Sequence, residues 1–292
     1  MSKYWESIYS SDFVTVYNPF FLKDMSKALE RTVKAINERE KIVIYGACNV
    51  DSICGVSLLL LVLKYLNADV EYYIPNTTEH NYRINSEVLK NHINFLGASI
   101  IITVGCEMES TFQLEYCNEL GIDIIIMDTT RLPQELDTII LNPNQRGCLY
   151  KFKNMSNVGL SFKLIQAISM YYDMKSIGKY IDIVMLGTLA ANVPLVDENY
   201  LWVNEGLKYL LKSNNYGIKA LIKIHNIFNV NIDTAIKLIL AVTPTMNAIG
   251  KMDNARIAVE LFTTSDTLRA EQIAKYLNNE VTNNFSSSLV VK

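Results

Sequence analysis

A β-branched run, Ile42-Val43-Ile44, ends at Tyr45-Gly46, and the turn Ala47-Cys48-Asn49-Val50-Asp51 leads into a long apolar segment opening at Ser52. The pattern is strand, turn, helix, and in an open α/β sheet ligands bind where the strands end. Asp51 is the one carboxylate of that turn. A later apolar run, Ile122 to Met127, ends on a second, Asp128, followed by Thr129-Thr130. Carboxylates at strand ends can serve hard divalent cations, which need several anionic oxygens. Two are few for that task. Asp51 also suits the N-terminus of its own helix as a cap, and Asp128 can serve strand-end amides. Cys48, Cys106 and Glu107 stand in the same turns, but no zinc-ligand spacing joins them. His80, His92 and His225 lie outside the turns. After the strands come Arg146, Lys151, Lys153 and Lys163, readable as a phosphate-contacting patch or as a solvated basic surface. Asn142, Asn144 and Asn247 can hydrogen-bond phosphate or satisfy turns.

The elements that position these residues are legible from periodicity. Asp24 can cap a helix with apolar residues at Met25, Leu29, Val33 and Ile36. Strands are expected at Lys41 to Gly46, Asp69 to Ile74, Ser99 to Val104 and Ile122 to Met127, with a short fifth at Asp137 to Leu141. Helices are expected from Ser52, at Asn85 to Phe95 with Gly97 as C-terminal cap, and at Ser110 to Leu120. This alternation implies an α/β fold, a mostly parallel five-stranded sheet with helices on both faces. Beyond Pro143 the pattern is helical, from Val158 to Tyr172 through Thr267 to Leu277. The polar stretch from Asn278 reads as a frayed end or linker. The chain divides into an N-terminal arm and first helix (1–40), an α/β core (41–195) and a helical extension (196–292).

Composition bounds the function. The chain has 292 residues, half of them hydrophobic, and 27 basic residues against 30 acidic for a net charge of −3. That is a globular composition, and it argues against binding nucleic acid through one broad basic face. The five cysteines are scattered and the start is no signal peptide, which implies reduced thiols and a cytoplasmic location. The strongest apolar run, Leu58 to Leu63, is far short of the ~20 residues a membrane span needs, so no membrane partner is expected.

In order, these segments resemble the DHH phosphoesterase superfamily, and within it the RecJ single-strand-specific exonucleases, from about Asn18 to about Asn279. The likeness rests on Pro19-Phe20-Phe21-Leu22-Lys23-Asp24-Met25, Leu141-Asn142-Pro143-Asn144-Gln145 and Phe152-Lys153-Asn154. It continues through Tyr180 to Thr188, Val193-Pro194-Leu195, Asn204-Glu205-Gly206-Leu207, and Pro244 with Asn247-Ala248 and Gly250. The resemblance implies hydrolysis of phosphodiesters by two divalent metals, usually manganese, held by aspartates and a histidine at the strand ends.

The chemical positions depart from that pattern while the scaffold matches it. The family's D-x-D-x-D-G is here Ala47-Cys48-Asn49-Val50-Asp51-Ser52. The aspartate after the third strand is Gly105, and D-H-H is Asp128-Thr129-Thr130. A fourth-motif aspartate is Ala191, and a glycine expected after Ser156 is Asn157. The two arginines of the P-R-x-N-A-x-G-R stretch are Thr245 and Lys251. Alanine, glycine and threonine cannot replace carboxylate or imidazole as ligands at these positions. No catalytic residue, bound metal or other cofactor is therefore expected; Asp51 and Asp128 are remnants, and would be the ligands of Mn2+ or Mg2+ were activity retained. The resulting expectation is a catalytically inactive domain that binds single-stranded nucleic acid or a replication or repair protein, with Asn144, Arg146, Asn247 and Lys251 as candidate contacts. The alternative is a residual manganese-dependent 5′-3′ exonuclease on single-stranded DNA or an oligonucleotide phosphodiesterase. The family's second, DHHA1-type domain is expected to be absent, since its glycine-rich, histidine-ended motif does not occur.

Overall fold

The computed structural model describes residues 17–75, 84, 86–106, 111–130, 136–245 and 254–290, without the side chains of 111 and 281–290. His80, Glu107, Asn247 and Lys251 lie outside the described residues.

Helix α1 (Met25–Glu38) precedes strand β1 (Ile42–Gly46), helix α2 (Val50–Tyr65), β2 (Val70–Tyr73), β3 (Ile100–Val104), α3 (Thr111–Glu119), β4 (Asp123–Met127) and β5 (Ile139–Leu141). All five strands pair in parallel, in the order β2-β1-β3-β4-β5. The β-branched content of these runs fits a sheet covered on both sides. Ile42 and Ile44 of β1 join the larger core with α2, whereas Val43 and Tyr45 join a smaller one with Leu89, Ile93, Leu114 and Cys117. This alternation is the two-residue period of a strand.

The helical part comprises α4 (Asn157–Tyr171), α5 (Ile181–Ala190), α6 (Asp197–Tyr209), α7 (Tyr216–Ile224), α8 (Ile232–Val242), α9 (Asn254–Thr263) and α10 (Thr267–Val290). Its apolar residues, among them Trp202, Leu221, Leu238 and Phe262, belong to the larger core, continuous with the sheet. Helix α2 runs through the middle of that core with buried residues on every side. Gly55 allows this, since a Cβ there would lie 2.7 Å from the Ser161 Oγ and 2.8 Å from the Val104 Cγ1.

Four local expectations need correction. Asp24 sits in the left-handed region (φ 63°) and makes no side-chain cap. Its backbone C=O instead accepts from Ala28 N at 2.9 Å. The segment after Asn85 is a single α-helical turn, Ser86–Val88, that widens into a π-helix, Leu89–Ile93. The stretch from Asn278 is no frayed end, because α10 continues to Val290. Its polar residues are compatible with helix, and Asn and Ser lower helix propensity only modestly. Lys163 does not belong to a basic surface: it is fully buried in α4, and its partners are given below.

Candidate functional site at the strand ends

Parallel register brings the strand ends side by side. The backbone ladder continues past the strands, with Ala47 N donating to Val104 O (3.1 Å), Gly105 N to Met127 O (2.9 Å) and Asp128 N to Leu141 O (3.3 Å). The turns at 47–51, 105–106, 128–130 and 142–144 therefore form one floor. Helix α4 starts above it, capped by Ser156, whose hydroxyl accepts from Gly159 N. A cleft of 310 Å³ opens here, with Asn49, Asp51, Thr129, Asn157, Ala191 and Val193 among its walls.

Asp51 is not the cap of its own helix. That role falls to Asn49, whose side chain accepts from Ser52 N at 2.9 Å. The Asp51 carboxylate reaches across to α4 and accepts from Asn157 N (2.9 Å) and Val158 N (2.8 Å). One carboxylate thus satisfies two of the orphan donors at another helix's start, with a favourable dipole interaction. Burial pushes the Asp51 carboxyl up to about 6. The Val158 and Asn157 N–H groups and the Asn157 side chain oppose the rise, and the Asp128 charge adds to it.

Asp128 is 2% exposed. Its carboxylate accepts from Thr130 N (3.0 Å) and Thr130 Oγ1 (2.7 Å), a local loop closure typical of aspartate. The Thr129 hydroxyl donates to Asn157 Oδ1 at 3.4 Å. Among the described residues no group of three or more His, Cys, Asp or Glu is placed to hold a metal. Burial raises the Cys48 thiol to about 11 and the Cys106 thiol well above its ordinary value.

Gly105 decides whether the family's metal cradle survives. It is buried, with φ +65°. A Cβ built there would lie 2.5 Å from the Ser52 Oγ and 2.8 Å from the Asn157 Nδ2. The Ser52 hydroxyl is fully buried and finds no hydrogen-bond partner among the described residues. The volume that an aspartate side chain would need at 105 is filled by two side chains that stand where the resemblance expects glycines. Ala47, Asn49, Thr130 and Ala191 supply no anionic ligand around it. The residues present do not fit a two-metal centre.

The remaining candidates are placed as follows. Asn142 donates to Thr130 O (2.6 Å) and accepts from Asn144 N (2.7 Å). The Asn144 amide donates to Thr129 O (2.9 Å) and Lys153 O (3.2 Å), so both are engaged in holding the loop. Lys153 is half-buried and donates to Pro143 O and Cys148 O. Lys163 donates to Glu198 Oε1 (2.5 Å) and Tyr17 O (3.0 Å), and Tyr150 donates to the other oxygen of Glu198. Burial lowers the Lys163 amine to about 8 against the opposing pull of Glu198. Of the four basic residues, Arg146 and Lys151 are the exposed pair. The Glu198 network left no sequence signal, because an acidic residue in Val196-Asp197-Glu198-Asn199 reads as the first turn of an exposed helix. Asn157 did leave one, as a side chain where the resemblance expects a glycine, but sequence alone does not reveal that it meets Ser52 and Gly105.

Fold, register and strand-end turns together define a DHH-type α/β domain. The sequence model of the DHH family, N-terminal domain, matches residues 41–188, and the chain belongs to that family. It is similar to the single-stranded-DNA-specific exonuclease RecJ of Bacillus subtilis (strain 168), with 35% identity over 262 residues, 88% of this chain and 32% of that protein. The RecJ of Haemophilus influenzae is 29% identical over 275 residues, 89% of this chain and 47% of its own length. The chain thus spans a third to a half of these curated relatives. Among solved structures, a manganese-bound exonuclease RecJ superposes with a TM-score of 0.81 at 22% identity, over 91% of this chain and 67% of that one. The RecJ of Thermus thermophilus in complex with Mn2+ gives 0.78 at 21% identity, over 97% and 41%. These likenesses establish a RecJ-like DHH fold. Among the described residues no helix is long and apolar enough to cross a membrane.

Proposed function

We propose that this chain is a RecJ-like DHH domain that no longer hydrolyses phosphodiesters and binds single-stranded nucleic acid as a non-cutting module in DNA replication or repair. The observation that carries the reading is the commitment of both remaining carboxylates to structural partners. Asp51 holds the amides of α4 and Asp128 holds Thr130. Two-metal hydrolysis needs anionic oxygens free to take cations and a metal-bound water. The floor is lined instead by the neutral side chains of Asn49, Thr129 and Asn157, which repel a polyanion less than a cluster of carboxylates does.

The relatives named single-stranded-DNA-specific exonucleases supply the ligand class. The exposed Arg146 and Lys151, beside the cleft floor in sequence, supply cationic contacts; Asn247 and Lys251 complete the proposed contact set, whereas the Asn144 amide is spent on the loop.

The test is fluorescence anisotropy of a labelled single-stranded oligonucleotide in chelator, followed by a nuclease assay with Mn2+. Binding without metal, and no release of nucleotides with it, is the expected result. Manganese-dependent release that disappears in Asp51→Ala would overturn the loss of hydrolysis. No binding at low salt would overturn the nucleic-acid role and leave a protein partner as the ligand class.

A further inference from the structure

We infer that Ser52, Gly105 and Asn157 form an interlocking plug that fills the ligand position at the end of β3, making that corner of the strand-end centre a structural joint. The inference deepens the proposed loss of hydrolysis and rests on it for its meaning, though its own evidence is packing. Three elements meet at this point: the first turn of α2 through Ser52, the end of β3 through Gly105, and the first residue of α4 through Asn157. The first and third insert a side chain each toward the hydrogen face of the second, to within 2.5 Å and 2.8 Å of where a Cβ would be.

Neither side chain swings aside freely. Asn157 accepts from the Thr129 hydroxyl and its backbone N–H is held by Asp51. The Ser52 hydroxyl is enclosed, with 0% of the residue exposed. An unpartnered buried hydroxyl costs stability unless something else requires it, and here it fills space that would otherwise be void. The three positions are thus mutually conditional. Glycine at 105 admits the two side chains, and the two side chains exclude anything larger than glycine. Loss of the ligand alone would leave its place vacant; at 105 that place is occupied by the protein itself, while the cleft between Asn49, Asp51, Thr129 and Ala191 beside it stays open.

The test is a thermal-unfolding cycle. Gly105→Ala is made in the wild-type chain and in a Ser52→Ala/Asn157→Ala background, which removes the Oγ, Nδ2 and Cγ atoms at the contact. The positive φ at 105 penalises alanine equally in both, so it cancels. In the wild type the substitution is expected to lower Tm by about 4–8 °C, through overpacking plus the backbone penalty. In the opened background the drop should be at most half as large. Equal drops would overturn the plug. Should the double background fail to fold, Ser52→Ala alone carries the same comparison, because the Oγ is the nearest atom. Failure of the plug and failure of the functional reading stay distinct. The first appears as equal Tm drops, the second as manganese-dependent nucleotide release by the wild-type chain.

Discussion

Thr130 closes onto Asp128, with its hydroxyl 2.7 Å and its amide 3.0 Å from the two carboxylate oxygens. The residue that the family resemblance expects as histidine here supplies the donors that hold a nearly buried aspartate. Removing the hydroxyl leaves one oxygen short of its partner. Thr130→Val should destabilise the protein by about 1–2 kcal/mol, measured by urea unfolding, while Thr130→Ser should stay close to wild type. Equal stability of both variants would show that water replaces the hydroxyl at no cost.

The Asp51 carboxyl has its folded-state value raised from 3.8 to about 6, chiefly by burial. A raised carboxylate favours the protonated folded state. Its contribution to stability is fully present below about pH 4 and is lost as pH rises through about 6. Asp51→Asn removes that titration. The dependence of stability on pH between about 4 and 6 should become shallower, by a span on the order of 3 kcal/mol. At pH 7 the variant still loses one good acceptor for the Asn157 and Val158 amides, so its Tm need not exceed that of the wild type. An unchanged slope would mean that Asp51 does not titrate in that window.

Lys163 and Lys151 look alike in sequence and differ in the fold. Lys163 is enclosed with Glu198, Tyr17 and Tyr150, whereas Lys151 faces solvent. Taking the partner from a buried Glu198 strands a charge, so Lys163→Met should cost about 3–5 kcal/mol. Lys151→Met should stay within about 0.5 kcal/mol of wild type. Denaturant midpoints of the two variants decide the matter, and similar midpoints would place Lys163 outside the network.

Under the proposed nucleic-acid role, exposed cations act through phosphate. Charge reversal at Arg146 and Lys151 should weaken single-strand binding for all sequences alike. It should also reduce the slope of log affinity against log salt by about 0.7 for each phosphate no longer neutralised. Anisotropy titrations at several salt concentrations measure the slope, and an unchanged slope would move the binding surface elsewhere.

The sheet was legible because Ile42 to Ile44, Ile100 to Val104 and Ile124 to Ile126 are apolar runs too short for helices and flanked by turn residues. The departures at Ala47, Asn49, Gly105, Thr129, Thr130 and Ala191 were legible against a family pattern. What the departures do was not. Which helix Asp51 serves depends on α4 arriving above the β1 turn, a contact across 106 residues. Local sequence points to a cap on its own helix, a place that Asn49 holds. Lys163 reads as a surface residue because its enclosing partners, Tyr17 and Glu198, come from the two ends of a long stretch of chain. The π-helical turn at Leu89–Ile93 has the same apolar spacing as an ordinary helix and carries no separate signal.

Gly105, packed against Ser52 and Asn157, also has a historical consequence. An aspartate at 105 and both of these side chains do not fit the cleft floor together. In a lineage descended from a metal-binding ancestor, the glycine came before or together with at least one of the other two changes. A single Gly105→Asp change meets the Ser52 Oγ and the Asn157 Nδ2. Under the proposed loss of the metal centre, the change behaves as a ratchet, and the order of its steps can be sought in sister sequences that carry glycine at 105 while keeping glycine at 52 or 157.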